Sequence, residues 1–410
     1  MLNGPHMAAE ERGAADRLSE AVTISTKGRF HAFDLARELQ TSGCLKKVLT
    51  SLPGWHVARF GVDPARVTSI LLPELIDRTL GRALSAAAPR VRIDYAVAEL
   101  YDKLACARLG DVGRLFVGWS SFSLRTMREA KARGAITVVE RGSTHIEFQR
   151  DILANEYRSL GIDPVLPDPR TVEKELREYA EADYVSIPSS FVRRTFLAKG
   201  VPEDKLIQTS YGVNLLQFKP GPKTDRTFRI IFSGGIGVRK GVHYLLRAFA
   251  QLRIAGAELW LIGSLSREGE QLLAAANVPG VRQLGPFPQG HLTRYYSQGS
   301  VFCLPSIEEG MSMAQVQAMA CGLPVIATPN TGAEDILRDG IDGFVVPARD
   351  VVALKDRLSW LHANEQARID MGRSARARVE HSYSWRDYGS RICGAYQRIC
   401  RDRERARRAR

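Results

Sequence analysis

Cysteine is scarce and poorly spaced for chemistry: six residues, at 44, 106, 303, 321, 393 and 400, contain no CxxC pair and no finger-like spacing. A zinc finger and a dithiol redox motif are excluded. Cys303 and Cys321 fall in runs expected to be core, so reduced thiols in a cytoplasm are the expected state. Long apolar runs are also missing, and none approaches the roughly 18 to 20 residues of a membrane span. The opening MLNGPHMAAEERGAADRLSE is too polar for a secretory signal, and its GPHM resembles a vector remnant. No repeat with a period of 20 to 50 residues is apparent. No DxD carboxylate pair sits in a loop suited to a metal, so no metal site is expected.

The 410 residues are enough for two sizeable cores, with 44% hydrophobic and 25% charged residues as in soluble globular proteins. The formal charge is +13, and Arg401, Arg403, Arg405, Arg407, Arg408 and Arg410 crowd the last ten residues against only Asp402 and Glu404. No nucleic-acid module or interleaved aromatics accompany them, so no nucleic-acid partner is expected. A frayed, solvated helix end is the first reading of this tail, and attraction to an anionic membrane the second.

Strand-like and helix-like segments alternate along the chain. Val22 to Ser25 reads as a strand and Lys46 to Leu52 as another; between them, Phe33, Leu35, Ala36 and Leu39 give one helical face. The loop holding Gly28 and Arg29 lies between strand and helix, where phosphates or acceptors bind in α/β sheets. Residues 54 to 110 read as mostly helical, without evident chemistry. Further strands are expected at Leu115 to Val117, Ile136 to Val139, Tyr184 to Ile187 and Leu206 to Thr209, with Ser189 capping a helix. Phe218 to Pro222 is a Pro/Gly-rich linker and the natural boundary. Beyond it, Arg229 to Phe232 and Leu259 to Ile262 read as strands. The loop from Ser233 to Gly241 is neither GxGxxG nor GxxxxGK[ST]. Its Arg239 and Lys240 stand at a helix start, where cations are disfavoured, which argues for a bound anion.

The run VFCLPSIEEGMSMAQVQAMACGLPVIAT, Val301 to Thr328, organises the second half. It reads as a buried strand, a sharp loop, a short helix capped near Ser312 and a second buried strand. The free amides near Met311, Ser312 and Met313 suit an anion or a ring of hydroxyls, and Glu309 suits a polyol.

This run resembles the signature PSxxEGFGLxxLEAMACGxPVIAT of the GT-B retaining glycosyltransferases of family four. Pro305, Ser306, Glu309, Gly310, Ala318 to Gly322 and Pro324 to Thr328 match it. The resemblance implies two doubly wound Rossmann-like α/β domains facing across a cleft, with a C-terminal helix crossing back to the first. The expected divisions are a disordered or vector-derived 1–20, an acceptor-side domain over 21–215, a nucleotide-sugar domain over 216–385, and a crossover helix with basic tail over 386–410. It further implies that Glu309 holds a donor-sugar hydroxyl and that the amides after Gly310 bind sugar and phosphate. Lys240, with Arg239, would clamp the diphosphate, and Gly234 or Gly235 stands where the family has an arginine. Gly332 would let backbone approach a phosphate. Gln317 replaces the family's ribose-anchoring glutamate, and Arg141 stands where the family has a histidine, with His145 four residues later. Arg141, Ser143 and His145 are therefore candidates on a strand-end loop.

The implied activity is transfer of a sugar, with retention and without a metal or other cofactor, from a nucleotide-diphosphate sugar to a hydroxyl acceptor. The acceptor would be a glycan, glycolipid or small molecule in cell-surface polysaccharide or glycoconjugate synthesis. The expected place is the cytoplasm, with peripheral contact at the inner membrane face. A nucleotide-sugar epimerase or phosphorylase on the same fold is a second reading. A sugar-nucleotide-binding protein without turnover is a third, motivated by Gln317 and the missing loop arginine.

Overall fold

The computed structural model describes residues 20–84 and 90–408, so the expectation for residues 1–20 lies almost wholly outside them. Seven parallel strands form the first sheet: β1 (Val22–Thr26), β2 (Leu45–Thr50), β3 (Val67–Ser69), β4 (Leu115–Trp119), β5 (Ile136–Glu140), β6 (Tyr184–Ile187) and β7 (Leu206–Gln208), in the order β3-β2-β1-β4-β5-β6-β7. Six more form the second: β8 (Arg229–Ser233), β9 (Glu258–Ile262), β10 (Val281–Gly285), β11 (Val301–Leu304), β12 (Val325–Ala327) and β13 (Gly343–Val345), in the order β10-β9-β8-β11-β12-β13. Parallel strands covered on both faces are rich in apolar residues. β1, β4, β5, β8 and β11 are buried at every position.

Each sheet reverses its strand order once, between β1 and β4 and between β8 and β11. The loops leaving the carboxyl ends of those strands open onto a crevice, the usual ligand position in such sheets.

Residues 54 to 110 are mostly helical, as expected, with one addition: Asp63 caps a short turn at Pro64–Arg66 and β3 follows as an edge strand on β2. Three residues are too few to show a period of two in the sequence.

The last helix, Trp385–Arg408, crosses back to the first domain. Gly389 lies so close to the helix Ala32–Thr41 that a Cβ there would sit 2.7 Å from Cβ of Glu38. The helix continues past Arg114, which pairs with Glu404, and Asp183, 3.8 Å from Arg403. Those partners immediately precede β4 and β6, so the basic end lies along the amino edge of the first sheet. It is helical to Arg408, with Arg405, Arg407 and Arg408 exposed.

The domains are stitched together by buried polar contacts. Glu156, on the helix Ile146–Leu160, accepts from His243 Nε2 (2.9 Å), Tyr244 Oη (2.6 Å) and Arg349 Nε (2.6 Å). Those bonds hold its carboxyl at about 2 against the burial that would raise it. Ser190 N and Asp335 Oδ2 add another link at 2.8 Å, as do Arg29 Nη2 and Gln289 Oε1 at 2.8 Å.

Candidate functional site

A cavity of about 620 Å³ lies between the domains, walled by loops that leave β1, β4 and β5 on one side and β8 and β11 on the other. On the second-domain side, Gly234 follows β8 with φ +149°, backbone open to glycine, and a Cβ there would sit 3.6 Å from Lys240 Cε. The turn then presents Arg239 and Lys240 to the cavity. Facing them is the amino end of the helix Met313–Ala320, with Met311, Ser312, Met313 and Ala314 in the wall. Ser312 precedes this helix without a side-chain capping bond, which leaves first-turn amides for a ligand.

Glu309 lies within this cationic pocket. Its Oε1 accepts from Arg239 Nη2 at 3.2 Å, and its Oε2 is paired with Lys240 Nζ. Burial, aided by the Arg239 charge, brings Lys240 down to about 7, against the opposing pull of Glu308. Arg239 turns its Nε to Glu308 at 2.7 Å, so one guanidinium spans both adjacent carboxylates.

Glu308 was not among the site candidates, yet it is the most constrained carboxylate in this region. It is fully buried and reaches into the first domain. Its Oε1 accepts from Ser143 Oγ (2.6 Å), Thr144 Oγ1 (2.7 Å) and Thr144 N (3.2 Å), and its Oε2 from Gln149 Nε2 (3.1 Å). Burial alone would raise its pKa; Arg239 and these donors bring it to about 2 instead. Ser143 therefore serves Glu308 as well as lining the cavity.

Arg141 also lines the cavity but is locked from behind, donating to Thr144 O (2.9 Å), Gln149 Oε1 (2.7 Å) and Glu175 Oε1 (3.1 Å). His145 is outside it. The ring is buried against Tyr179 and Phe196, with centroids 5.2 and 5.0 Å away, and precedes the helix Ile146–Leu160 as its cap residue. Burial and the charges of Arg141 and Lys199 lower its pKa to about 4, so it is a neutral packing residue at pH 7.

A different histidine reaches the cavity. His31, in the loop after β1, bonds Glu140 Oε1 through Nε2 at 2.9 Å and packs on Tyr211 with centroids 4.1 Å apart. Glu140 Oε2 and Tyr211 Oη are buried without a hydrogen-bond partner. His31 and Tyr211, with Phe30, Trp119 and Phe122, make the first-domain wall aromatic and partly polar. His31 was missed because its sequence signal is only a loop position, and its partner lies 109 residues away.

Several expected binding residues serve the frame instead. Gly310 is where the domains touch, and a Cβ there would fall 1.9 Å from Gly142 O. Gly332, at φ +72°, packs on Ser189, where a Cβ would lie 3.0 Å from that residue's Cβ. Gln317 is 6% exposed and receives a long 3.4 Å bond from Tyr296 Oη, off the cavity wall. Gly28, Arg29 and Gly235 are also off the wall; Arg29 stacks on Phe60 at 4.2 Å and bonds Gln289. A second cavity, about 530 Å³, lies behind the linker and the helix Glu365–Ser382, away from the carboxyl strand ends. Among the described residues no three His, Cys, Asp or Glu side chains gather as metal ligands.

Residues 227–364 match the family model described as Glycosyl transferases group 1. The chain is 28% identical over 238 residues to the D-inositol 3-phosphate glycosyltransferase of Pseudarthrobacter chlorophenolicus, covering 53% of this chain and 56% of that protein. It is 26% identical over 221 residues to the amylovoran biosynthesis glycosyltransferase AmsK of Erwinia amylovora, covering 51% of this chain and 54% of that one. The chain thus spans about half the length of these relatives. Among solved structures it resembles sucrose-phosphate synthase from Thermosynechococcus elongatus, with TM-score 0.73 and 19% identity over 93% of this chain and 100% of that one. It also resembles Anabaena HepE in complex with UDP and glucose, with TM-score 0.64 and 14% identity over 92% and 99%. At these identities the structural likeness establishes the fold.

Proposed function

We propose that the chain, whose residues 227–364 match the group 1 glycosyl transferase family, is a GT-B glycosyltransferase that moves a sugar from a nucleotide-diphosphate donor to a hydroxyl acceptor with retention. One observation carries the reading: two cations, a carboxylate and an uncapped helix start converge on one wall of the interdomain cavity. A diphosphate would lie between Lys240, Arg239 and the first turn of the helix Met313–Ala320. In taking Lys240 it would free Glu309 to accept a sugar hydroxyl. Developing charge on the leaving group would meet preorganised cations and amides, a contribution of about 3 to 4 kcal/mol per well-placed donor.

The acceptor would enter along the first-domain wall, where Phe30, Trp119 and Phe122 offer ring faces and His31 a polar group. The donor clamp as read is metal-independent, because its cations are side chains. HepE has been seen with UDP and glucose, and AmsK is named for amylovoran biosynthesis. By likeness we assign the donor to the nucleotide-diphosphate sugars and the acceptor to cell-surface polysaccharide or glycoconjugate synthesis. We read the protein as cytoplasmic and peripheral to the inner membrane face; among the described residues no helix is long and apolar enough to cross a membrane.

The test is turnover of UDP-, GDP- and ADP-sugars with chelator present, the product's anomeric configuration being read by NMR. A product with the donor's configuration, formed in EDTA, is expected. An inverted product overturns retention, and activity lost to EDTA and restored by Mg²⁺ overturns metal independence. A second reading, donor binding without transfer, is favoured by Gln317 and by a glycine, Gly234 or Gly235, standing where the family has an arginine; tight donor binding with no product from any acceptor would establish it.

A further inference from the structure

The polar side chains on the first-domain wall of the cavity divide into those with protein partners and those without. Arg141 is committed to Thr144, Gln149 and Glu175, Ser143 Oγ donates to Glu308, and Ser121 Oγ donates to Glu175. The Tyr211 hydroxyl is sealed in, with Gly142 so close that a Cβ there would lie 3.1 Å from it. Three groups remain: His31 Nδ1, Trp119 Nε1 and Ser120 Oγ. Each of these residues lines the cavity, and among the described residues none of the three atoms has a hydrogen-bond partner or is sealed from solvent. His31 does not spend its ring on capping the helix Ala32–Thr41 that follows it. The topology makes the three neighbours. His31 follows β1 and packs on Trp119, the last residue of β4, with centroids 5.0 Å apart. Ser120 N donates to the backbone oxygen of Glu140, at the end of β5, at 3.1 Å.

We propose that His31, Trp119 and Ser120 read the hydroxyls of the acceptor, and that the acceptor is a saccharide whose ring lies against Phe30 and Phe122. The inference rests on the glycosyltransferase reading and gives its acceptor a chemical class. Hydrogen-bonding complementarity selects that class. The indole N–H only donates, His31 Nδ1 accepts, and the serine hydroxyl does both. Neighbouring hydroxyls on a sugar ring both give and take, so they can satisfy all three. A carboxylate or phosphate oxygen only accepts, and would set lone pair against lone pair at Nδ1. An apolar acceptor would strip water from all three groups and return no hydrogen bond. Phe30 and Phe122, with ring centroids 6.1 Å apart on the same wall, offer apolar faces to the C–H side of a pyranose.

Glu140 is the positioning residue behind this site. Its carboxylate is buried and takes His31 Nε2 at 2.9 Å, which assigns the ring proton to Nε2 and the lone pair to Nδ1. Tyr211, with its centroid 4.1 Å from that of His31, and Tyr388, edge-on at 6.3 Å, fix the plane of the ring. The rival role for His31 is only to satisfy the buried Glu140. Glutamine separates the two roles, because its amide N–H can replace Nε2 toward Glu140 while nothing replaces Nδ1 in the cavity.

The experiment is glycosyl transfer by the full chain to octyl glucoside, octyl galactoside, octyl mannoside and octan-1-ol, followed as release of nucleoside diphosphate. UDP-glucose, GDP-mannose and ADP-glucose serve as donors, and their affinities are read by calorimetry on the same proteins. Wild type, His31→Gln and Ser120→Ala are compared. At least one octyl glycoside should be used at least about tenfold better than octanol, since only the glycosides fill the polar groups. Each substitution should raise the KM for that glycoside by about five- to tenfold, with a smaller change in kcat and donor Kd within about twofold. Ser120→Ala removes a hydroxyl without a protein partner, so its melting temperature should match wild type and a rise in KM cannot be laid to unfolding. Octanol used as well as the glycosides, an acceptor KM unchanged in both variants, or a donor Kd that rises as much as the acceptor KM would each overturn the proposal. A wild type that binds a donor but uses no glycoside overturns this inference alone, whereas one that binds no donor sinks the transferase reading and the inference with it.

Discussion

Replacing Glu308 by Gln tests the bolt between the two domains. The side chain is fully buried and takes five hydrogen bonds, four of them from the first domain's Ser143, Thr144 and Gln149 and one from Arg239. Its carboxyl is held at about 2, whereas an unfolded chain returns it to about 4.3. At 1.36 kcal/mol per pH unit the difference is about 3 kcal/mol of stability. The sign follows from the lowered pKa: the contribution is complete above about pH 5 and is lost as pH falls through about 2. Gln keeps the shape and cannot titrate.

The measurement is urea unfolding of wild type and Glu308→Gln at pH 7 and pH 3. The wild-type advantage should be about 3 kcal/mol at pH 7 and about half of that at pH 3, where the native carboxylate is still largely charged and the unfolded one is not. The amide group of Gln also faces donors, which adds a cost independent of pH. The change with pH is therefore the informative quantity. An advantage equal at both pH values would show that the Glu308 charge is not what the buried donors stabilise, and the reasoning would fail.

Three other outcomes follow from the same geometry. Lys240→Ala should slow transfer by roughly 100-fold, measured as kcat with saturating donor, and near-normal turnover would remove Lys240 from the clamp. Burial lowers Lys240 to about 7 and a bound diphosphate would raise it, so donor binding should take up a proton above pH 7 and weaken as pH rises. Calorimetry in buffers of different ionisation heat reads this directly, and no proton uptake at pH 8 would contradict it. Gln317→Ala should leave donor affinity within about twofold, because the side chain is turned to Tyr296 and away from the cavity. A tenfold loss would show that Gln317 reaches the ribose after all.

How much of this was legible in the sequence differs by the range of the interaction. The apolar runs of β4, β8 and β11 follow from burial on both faces, a property of each segment alone. β3 was not legible, since its pairing with β2 and not its own three residues makes it a strand. Within the site, Arg239, Lys240, Glu309 and Met311 to Met313 do meet at one wall, because two loops from adjacent strands β8 and β11 carry them. His31 and Glu140 could not be paired in advance, since only the neighbouring positions of β1, β4 and β5 bring them together.

The adjacent carboxylates Glu308 and Glu309 show most clearly where reading by residue type stops. They are chemically alike and consecutive, yet one points across the interface to Ser143 and Thr144 and the other lies on the cavity wall with Lys240. Nothing in an EEG triplet says which is which; the partner loop, some 165 residues away, decides it. Gly310 completes the point. Its place in the motif suggests a backbone amide offered to a phosphate, but a side chain there would drive its Cβ to 1.9 Å from Gly142 O and part the domains. The turn that sets Glu309 on the cavity wall is thus the same turn that lets the two domains close, and Arg239, held by both carboxylates, joins the two. Ligand charge arriving at Arg239 must therefore be felt at the interdomain bolt through a single guanidinium.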